Sequence, residues 1–330
     1  MELAPDGQKK GSRVFVSGSF DIFNYAHAEY LHLAKKYGKR VIVGVQNDIE
    51  VESYRATPIF DECSRLDVIS HVKWVDETIE DAPEEVSVSL LNQMDVDFCI
   101  PGEGTQNYKE VENSGRFRTV VNEIQRTNYE IIGKLYAAPK HVKNVDLDQK
   151  KREIESMAMD GHMKKPWTKV MVLSEDQPPR ELAIGRNPRN TDKIVYICGD
   201  FDFISASTIE FFKAAKENHD FLILGLFDDQ TIFSKTRHYS INNLYQRLAS
   251  LLAFNIIDEI LINAPVSITS DFVRMFNIKT ILLADFNNSF IEVSNDYDQF
   301  LRTGRIKFIE IEEYPTANWL KMELSKLKPF

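Results

Sequence analysis

Two short apolar runs, each ending in glycine, stand out in the hydrophobic pattern of the chain. Residues 14–18 are β-branched, aromatic or small, and residues 195–199 repeat that pattern. After the first run, apolar positions recur at helical spacing over residues 28–37, and a second apolar run covers residues 40–46. Strand, helix and strand at this spacing predict a βαβ unit with parallel strands and a right-handed crossover.

The repeat extends well beyond these two runs. Asp202 follows Asp21 by 181 positions, and Arg247 follows Arg65 by 182, so one residue has entered the intervening loop. A nearly constant offset of this size indicates a duplicated domain rather than a solenoid of short repeats. We therefore expect residues 14–18 and 195–199 to be equivalent central strands of two parallel sheets.

The remaining pattern of the first copy divides into short helices and strands. We predict helices at 65–72, 87–93, 108–115 and 129–136, a strand beginning at 74 and another at 97–100. The predicted organisation is a polar N-terminal arm at 1–11, a first domain at 12–145, a linker at 146–190 and a second domain at 191–330. Charge and proline mark the linker, which is long enough to need some packing of its own.

Composition narrows the classes of function. A chain of 330 residues with 43% hydrophobic residues suits two globular domains. Its net charge of −10 argues against nucleic acid as a partner, because phosphate backbones require clustered cations. No apolar run approaches the ~18 residues of a membrane span. The scattered Cys63, Cys99 and Cys198 suit buried thiols in a reducing compartment, so we expect a cytoplasmic protein.

The junction after the first apolar run is the strongest candidate for chemistry. Gly18 and Ser19 are small enough for a ligand to approach the backbone, and His27 stands at the predicted start of the helix. Helix N-termini above the carboxyl ends of parallel strands attract phosphate groups. An ordinary buried turn with a half-exposed histidine would give the same pattern, and the residues alone leave both open.

Several motifs carry a family resemblance that covers nearly the whole chain. They are Gly18-x-Phe20-Asp21, residues 73–77 with Ala82-Pro83, residues 97–100 with Gly102, residues 108–111, residues 115–118, and Pro166-Trp167-Thr168 between the copies. With the duplication, these motifs resemble the ethanolamine-phosphate cytidylyltransferases. The resemblance implies an α/β fold of two tandem Rossmann-like nucleotidyltransferase domains, each a parallel sheet flanked by helices.

The resemblance also implies a reaction and a site. Phosphoethanolamine would attack the α-phosphorus of CTP, giving CDP-ethanolamine for phosphatidylethanolamine synthesis, with Mg²⁺ accompanying the CTP and no metal site made by the protein. It implies catalytic roles for Asn24, His27 and Arg55. The implied nucleotide contacts are Gly18, Ser19, Phe20, Asp21, Gly102 and Thr127. A homodimer stays open.

The sequence departs from the family pattern in the motifs that are implied to carry the reaction. The His-x-Gly-His motif becomes Asn24-Tyr25-Ala26-His27, the loop lysine becomes Arg55, and Thr127 alone keeps a hydroxyl in the Arg-Thr-x-Gly-x-Ser-Thr-Thr motif. In the second copy the histidine motif is residues 205–208, without an imidazole, and Lys235 is the nearby cation. Two hypotheses follow: a divergent cytidylyltransferase working through the first copy, or a binding or regulatory protein that kept the fold. Adenylyl transfer is a weaker third, because the related adenylyltransferases have a single copy.

Overall fold

The computed structural model describes residues 3–54, 57–83, 85–102, 107–119, 128–136, 145–174, 176–284, 290–311 and 317–326. Arg55, Thr127 and the other residues between these ranges lie outside the described part of the chain. Contacts divide the chain into two compact units. The first comprises Met1–Gly133 and Leu320–Phe330, and the second comprises Lys134–Trp319.

The first unit contains a parallel sheet of four strands. The strands are β1 (Gly11–Gly18), β2 (Gly38–Val45), β3 (Glu77–Ile79) and β4 (Phe98–Ile100), and they lie in the order β3-β2-β1-β4. The helices in this part of the chain are α1 (Tyr25–Tyr37), α2 (Asp48–Tyr54), α3 (Glu62–Ser70), α4 (Val88–Gln93) and α5 (Lys109–Asn113), followed by α6 (Asn128–Tyr136). The prediction that residues 14–18 form a central parallel strand is confirmed, since β1 pairs with both β2 and β4.

The second unit repeats this arrangement and extends it. Its strands are β5 (Lys169–Ser174), β6 (Gln177–Ala183), β7 (Ile194–Gly199), β8 (Phe221–Leu226), β9 (Glu259–Ile262), β10 (Ile278–Ala284) and β11 (Ile306–Ile309), in the order β11-β10-β7-β8-β9-β5-β6. Its helices are α7 (Lys151–Met157), α8 (Ala206–Lys216), α9 (Asp229–Thr236), α10 (Leu244–Leu251), α11 (Ser270–Met275) and α12 (Asn295–Arg302). The last helix, α13 (Ala317–Lys326), begins in this unit and belongs to the first unit from Leu320 onward. The central order β9-β8-β7-β10 matches β3-β2-β1-β4, which confirms the predicted duplication.

The segment predicted as a linker takes part in the second sheet. Val170 of β5 pairs with Ile260 of β9, and β6 completes an antiparallel pair with β5. Thr168 is buried, and the indole Nε1 of Trp167 donates to the carbonyl of Asn255 at 2.8 Å. Residues 146–190 are therefore integrated into the second unit rather than forming a separate connector.

Several predicted boundaries shift in the structure. Strand β1 begins at Gly11, within the predicted arm, and Leu3 bridges Lys9 in a short antiparallel pair. The strand predicted to begin at Trp74 begins only at Glu77, because the fully buried Trp74 belongs to the turn that precedes β3. The predicted helix at 65–72 is α3, three residues earlier at its start and capped by Asp61.

Two ion pairs, each with one buried partner, recur at equivalent places and tie helices to the sheets. Lys35 Nζ lies 2.5 Å from an Asp76 oxygen, and Asp76 also accepts the N–H of Val41. In the second unit Asp258 pairs with Lys216 and accepts the N–H of Leu222. A buried charge needs such a partner, because an unpaired charge in the protein interior is costly.

Candidate functional site

The carboxyl end of β1 is the centre of the candidate site. Gly18 pairs with Val45, and its carbonyl accepts the N–H of Gln46 at 3.1 Å. Gly102, at the end of the neighbouring β4, approaches the same strand: a Cβ on Gly102 would fall 1.4 Å from the carbonyl oxygen of Ser17. Only glycine permits this approach, so the structure brings the predicted residues Gly18 and Gly102 together.

The turn after β1 is strained. Phe20 has φ of 52° and Ile22 has φ of 50°, a left-handed backbone that bulky side chains rarely adopt. Phe201 repeats this conformation in the second unit, with φ of 45°. Strain of this kind costs on the order of 1–3 kcal/mol per residue and persists only where the surrounding structure enforces it. The predicted contact Phe20 thus shapes the turn through its backbone and is itself buried.

Asn24 and His27 form a capping box at the start of α1. The Asn24 Oδ1 accepts the N–H of Ala26 at 2.9 Å, and the Asn24 N–H donates to His27 Nδ1 at 3.3 Å. The Asn24 amide nitrogen also donates to the carbonyl of Ile22 at 2.9 Å. Both side chains therefore cap the start of α1. Some of the backbone N–H groups there are occupied by these caps, so fewer are available to a ligand than the sequence suggests.

This capping bond fixes the proton of the His27 ring. Because Nδ1 accepts a hydrogen bond, the neutral imidazole carries its hydrogen on Nε2. The ring is 5% exposed and lies 5.6 Å from the Phe20 ring and 5.8 Å from the Phe23 ring, between centroids. The His27 ring is thus held in place by its capping bond and by two aromatic side chains.

Asp21 holds a loop against the turn. Its two carboxylate oxygens accept the backbone N–H groups of Ile59 and Phe60 at 3.0 and 3.1 Å. Asp202 makes the equivalent bonds to Ile241 and Asn242 at 2.7 and 2.8 Å. Asp21 therefore organises the loop that precedes α3, and its negative charge is directed at N–H donors.

A buried arginine secures the same turn in each unit. Arg65 donates from Nη1 to the carbonyl of Ser19, from Nη2 to Asp48 and from Nε to the carbonyl of Phe60, at 2.6, 2.6 and 3.0 Å. Arg247 repeats all three bonds in the second unit at 2.7–3.2 Å. The backbone of Ser19, a predicted contact, is thus held by the Arg65 side chain.

Two tyrosines support the turn that carries Gly102. The Tyr108 hydroxyl accepts the N–H of Gly102 at 2.9 Å and is hydrogen-bonded to Ser17, while the Tyr30 hydroxyl donates to the carbonyl of Pro101. Burial raises the pKa of Tyr108 and of Tyr30, so both phenols stay protonated at neutral pH. Sequence reasoning missed Ser17, Tyr30 and Arg65 as site residues. Only the 182-residue offset between Arg65 and Arg247 hinted at a shared role.

A buried amide lies at the end of β2. Gln46 is fully buried, and its Oε1 accepts the Tyr54 hydroxyl at 2.6 Å. Among the described residues the Gln46 Nε2 meets no hydrogen-bond acceptor. Tyr54 is the last residue of α2, immediately before Arg55 in sequence.

The second unit keeps the backbone of this site and changes its side chains. Ser205 and Thr208 form the same capping box on α8, with a hydroxyl in place of the imidazole. The equivalents of Ser17 and Gln46 are Cys198 and Phe227, both fully buried. Lys235, the cation predicted near this copy, pairs with Glu292 at 2.6 Å.

A carboxylate also enters this region in the second unit. Asp200 occupies the position of Ser19, next to the buried Asp202. Burial, with a smaller contribution from the Asp200 charge, raises the pKa of Asp202 to about 7. Asp200 adds an acidic group that the first unit lacks, so this end of β7 is electrostatically unlike the end of β1.

Metal-binding capacity follows from the donor atoms present. Among the described residues no group of three His, Cys, Asp or Glu side chains is arranged around a common point. The carboxylate nearest the turn, Asp21, is already bonded to two N–H groups. These side chains do not fit a protein-made Mg²⁺ cage. In the same part of the chain, no helix has the length and apolar character needed to cross a bilayer.

Comparisons with known proteins extend this description. A family model described as cytidylyltransferase-like matches residues 15–163. The ethanolamine-phosphate cytidylyltransferase of Dictyostelium discoideum is 30% identical over 293 residues, covering 84% of this chain and 80% of that protein. The proteins of the same name from Arabidopsis thaliana and Mus musculus are both 26% identical, covering 92% and 84% of this chain and 77% of each relative.

Proposed function

Because the chain belongs to the ethanolamine-phosphate cytidylyltransferase family, we propose that it transfers the cytidylyl group of CTP to phosphoethanolamine. A phosphate oxygen of phosphoethanolamine forms a bond to the α-phosphorus of CTP. The bond from that phosphorus to the oxygen bridging to the β-phosphate breaks, and pyrophosphate leaves with the electron pair. The products are CDP-ethanolamine and pyrophosphate. No covalent enzyme intermediate is required, so positioning and charge stabilisation carry the catalysis.

The first unit is the proposed site of this reaction. The observation that carries the assignment is the contrast between equivalent positions: Ser17, Gln46 and His27 in the first unit correspond to Cys198, Phe227 and Thr208 in the second. A duplicated unit that has lost its phosphate chemistry has no need of buried polar groups, and apolar replacements are then tolerated. The first unit keeps the polar groups, at the end of the sheet where nucleotides bind in such folds.

We assign the roles from the contacts at the turn. The Nε2–H of His27 donates to the phosphate oxygens of CTP as charge gathers on them. Asn24 holds the His27 ring through the capping box, and its amide group has a second hydrogen that can serve the same phosphates. Gly18 and Ser19 allow close approach of the triphosphate to the backbone, and Gly102 forms the wall toward the base or ribose.

The proposal also includes groups whose positions the structure does not describe. Arg55 and Thr127 lie outside the described residues and stay predicted donors to the phosphates. Mg²⁺ accompanying the CTP stays a prediction from the family resemblance, and it would supply positive charge beside the phosphates. The cytoplasm as compartment and a homodimer as assembly stay predictions.

The departures from the family motif lower the turnover that we expect. Losing one charged donor typically lowers turnover by about 10²–10³. The replacements at Asn24, Ala26 and Arg55 together imply turnover on the order of 10⁴ below that of a protein with the complete motif, although such effects do not add.

The direct test is turnover by the purified full chain. Incubation with CTP, phosphoethanolamine and Mg²⁺ should yield CDP-ethanolamine and pyrophosphate. Phosphorus NMR measures the appearance of both products. ATP in place of CTP, and phosphocholine in place of phosphoethanolamine, serve as matched controls and should react more slowly. Calorimetry with CTP and then ATP measures binding separately. Saturable CTP binding without CDP-ethanolamine would favour the nucleotide-binding protein, and turnover preferring ATP would contradict the assignment of CTP.

A further inference from the structure

A basic pocket lies in the second unit at the amino-terminal end of β10. Its volume is about 370 Å³, within the range of small-molecule sites. Three cationic side chains line it, and three buried apolar side chains form its floor. The cations are Arg274, Lys279 and Arg305, and the floor residues are Val273, Ile278 and Phe300. We call this cavity the basic pocket. It lies at the opposite end of the strands from Gly199.

The charges in the basic pocket are poorly neutralised by the protein. Arg274 pairs with Asp271 at 3.1 Å in a highly exposed contact. Lys279 Nζ lies 2.7 Å from the Asn277 side-chain oxygen, and the Arg305 guanidinium lies 5.9 Å from the Phe300 ring centroid. Among the described residues neither Lys279 nor Arg305 forms an ion pair. A further carboxylate near the pocket, Asp296, is bonded to the N–H and hydroxyl of Ser270.

The duplication identifies the corresponding place in the first unit. Asp95 and Asn277 share a left-handed backbone with φ of 52°, and Gly115 and Gly304 share φ values of 73° and 69°. The Arg116 carbonyl accepts the N–H of Cys99 just as the Arg305 carbonyl accepts that of Ile281. These matched features align Arg116 with Arg305.

At the corresponding position in the first unit, neighbouring protein groups bond and neutralise the arginine. Arg116 donates to the Asn92 side chain at 2.5 Å and to the carbonyls of Val96 and Asp97. The Asp97 carboxylate in turn accepts backbone N–H groups at the start of β1. Asn92, Asp97 and Arg116 together carry no net charge.

The second unit replaces this neutral set with cations. Asn92 corresponds to Arg274 and Asp97 corresponds to Lys279, both at an offset of 182. The guanidinium of Arg305 thereby loses the side-chain acceptor that Arg116 has and gains two positive neighbours. Three like charges around one cavity attract an anion, and their clustering contrasts with the net charge of −10 of the whole chain.

Further cations extend the positive field along this end of the sheet. Lys193 precedes β7, and Lys307 lies on β11. Burial lowers the pKa of His219, the hydrogen bond to the Ala215 carbonyl opposes this, and the charges of Lys307 and Lys193 lower the pKa against the smaller effect of Asp220. Lys193 and Lys307 therefore add positive charge near this end of the sheet, which the Asp220 carboxylate partly offsets.

We propose that the basic pocket binds a small anion bearing phosphate groups. Arginine side chains bind phosphate through paired N–H groups, and lysine adds a compact positive charge. The Asn277 and Gln299 side chains supply neutral amide groups at the rim. A soluble phosphate compound and a lipid headgroup share this chemistry, and a cavity of about 370 Å³ is large enough for the soluble ligand. This site is independent of the reaction proposed for the first unit.

The test uses the full chain, inorganic pyrophosphate as the probe, and variants designed from the duplication. Arg274→Asn with Lys279→Asp restores the first-unit residues, an arrangement that this fold already accommodates. Lys151→Asp with Arg180→Asn changes the net charge equally on exposed positions of the same unit. Amide NMR during the titration should show saturable shifts at residues 274–279 and 303–305. The restored variant should lose about 10²-fold in affinity or more, and the control variant should stay within about two-fold of wild type.

Other outcomes overturn the proposal. Absence of saturable shifts at residues 274–279 and 303–305 would remove the site, whatever pyrophosphate does in the first unit. Equal weakening in both variants would attribute binding to net charge alone. Vesicles containing phosphatidic acid form the second arm. Sedimentation with those vesicles that depends on Lys279 and Arg305, without pyrophosphate binding there, would replace the soluble ligand by a lipid headgroup. Thermal denaturation of each variant checks that the fold is retained.

Discussion

The two functions of the His27 ring can be separated by comparing two substitutions. In the structure the ring accepts the Asn24 N–H through Nδ1, and in the proposed reaction it donates through Nε2–H. His27→Ala removes both functions. His27→Thr removes the Nε2 donor and supplies a hydroxyl acceptor, which is the arrangement that Ser205 and Thr208 have in the second unit.

The structure sets the size of each effect. Alanine leaves the buried Asn24 N–H without an acceptor, which costs about 1–3 kcal/mol, and it also removes the packing against Phe20 and Phe23. Threonine loses the same packing and restores the acceptor, so it should be more stable than the alanine variant by about 1 kcal/mol. Both lack the imidazole donor, and turnover should fall about 10²-fold or more in both.

The assays are urea denaturation for the free energy of unfolding and CDP-ethanolamine formation for turnover. Thr208→Ala is the matched control, because it breaks the equivalent cap in the second unit. Recovery of turnover by His27→Thr in step with its stability would refute the donor role. His27 would then act through the helix cap alone, and the nucleotide-binding protein would become the better assignment for this unit.

Three further outcomes follow from the structure. Asn24→His with Ala26→Gly returns a donor and removes a methyl group, so CTP affinity or turnover should rise. Loss of the Asn24 cap should lower the stability by about 1 kcal/mol, measured by urea denaturation. Ser205→Ala with Thr208→Ala should lower stability by about 1–2 kcal/mol and leave turnover within a few-fold of wild type. Burial raises the pKa of Asp202 to about 7 in the folded protein. Wild type should therefore lose stability relative to Asp202→Asn as the pH rises from about 4 to 7, by up to about 4 kcal/mol. Urea denaturation across that pH range measures the difference.

Each of these outcomes has a result that would contradict it. Unchanged CTP affinity and turnover in the Asn24 and Ala26 double variant would mean that the first unit does not bind phosphate at this turn. A fall of about 10²-fold in turnover from the second-unit changes, with the fold intact, would place a working site there. A pH-independent difference between wild type and Asp202→Asn would mean that Asp202 is ionised throughout, since the folded protein would then bind no extra proton.

Much of the site could be located from the sequence because its backbone is encoded locally. A β-branched run ending at Gly18 and a helical pattern beginning nearby suffice to predict the junction. The duplication added a second observation of each element, which supported the alignment of Asp21 with Asp202. Asn24 and His27 were recognised by type, but a residue type does not state its hydrogen bonds. Their capping box emerged only from the geometry of α1.

The sequence by itself determined the α/β class, the duplication and the central position of β1 and β7, because these depend on periodicity and on residues close in the chain. Tertiary structure alone decided which distant groups meet. Gly102 lies against Ser17, Arg65 reaches the Ser19 carbonyl, and β5 and β6 join the second sheet. Such contacts join residues far apart in sequence, and their energies depend on packing and burial, which local patterns do not record.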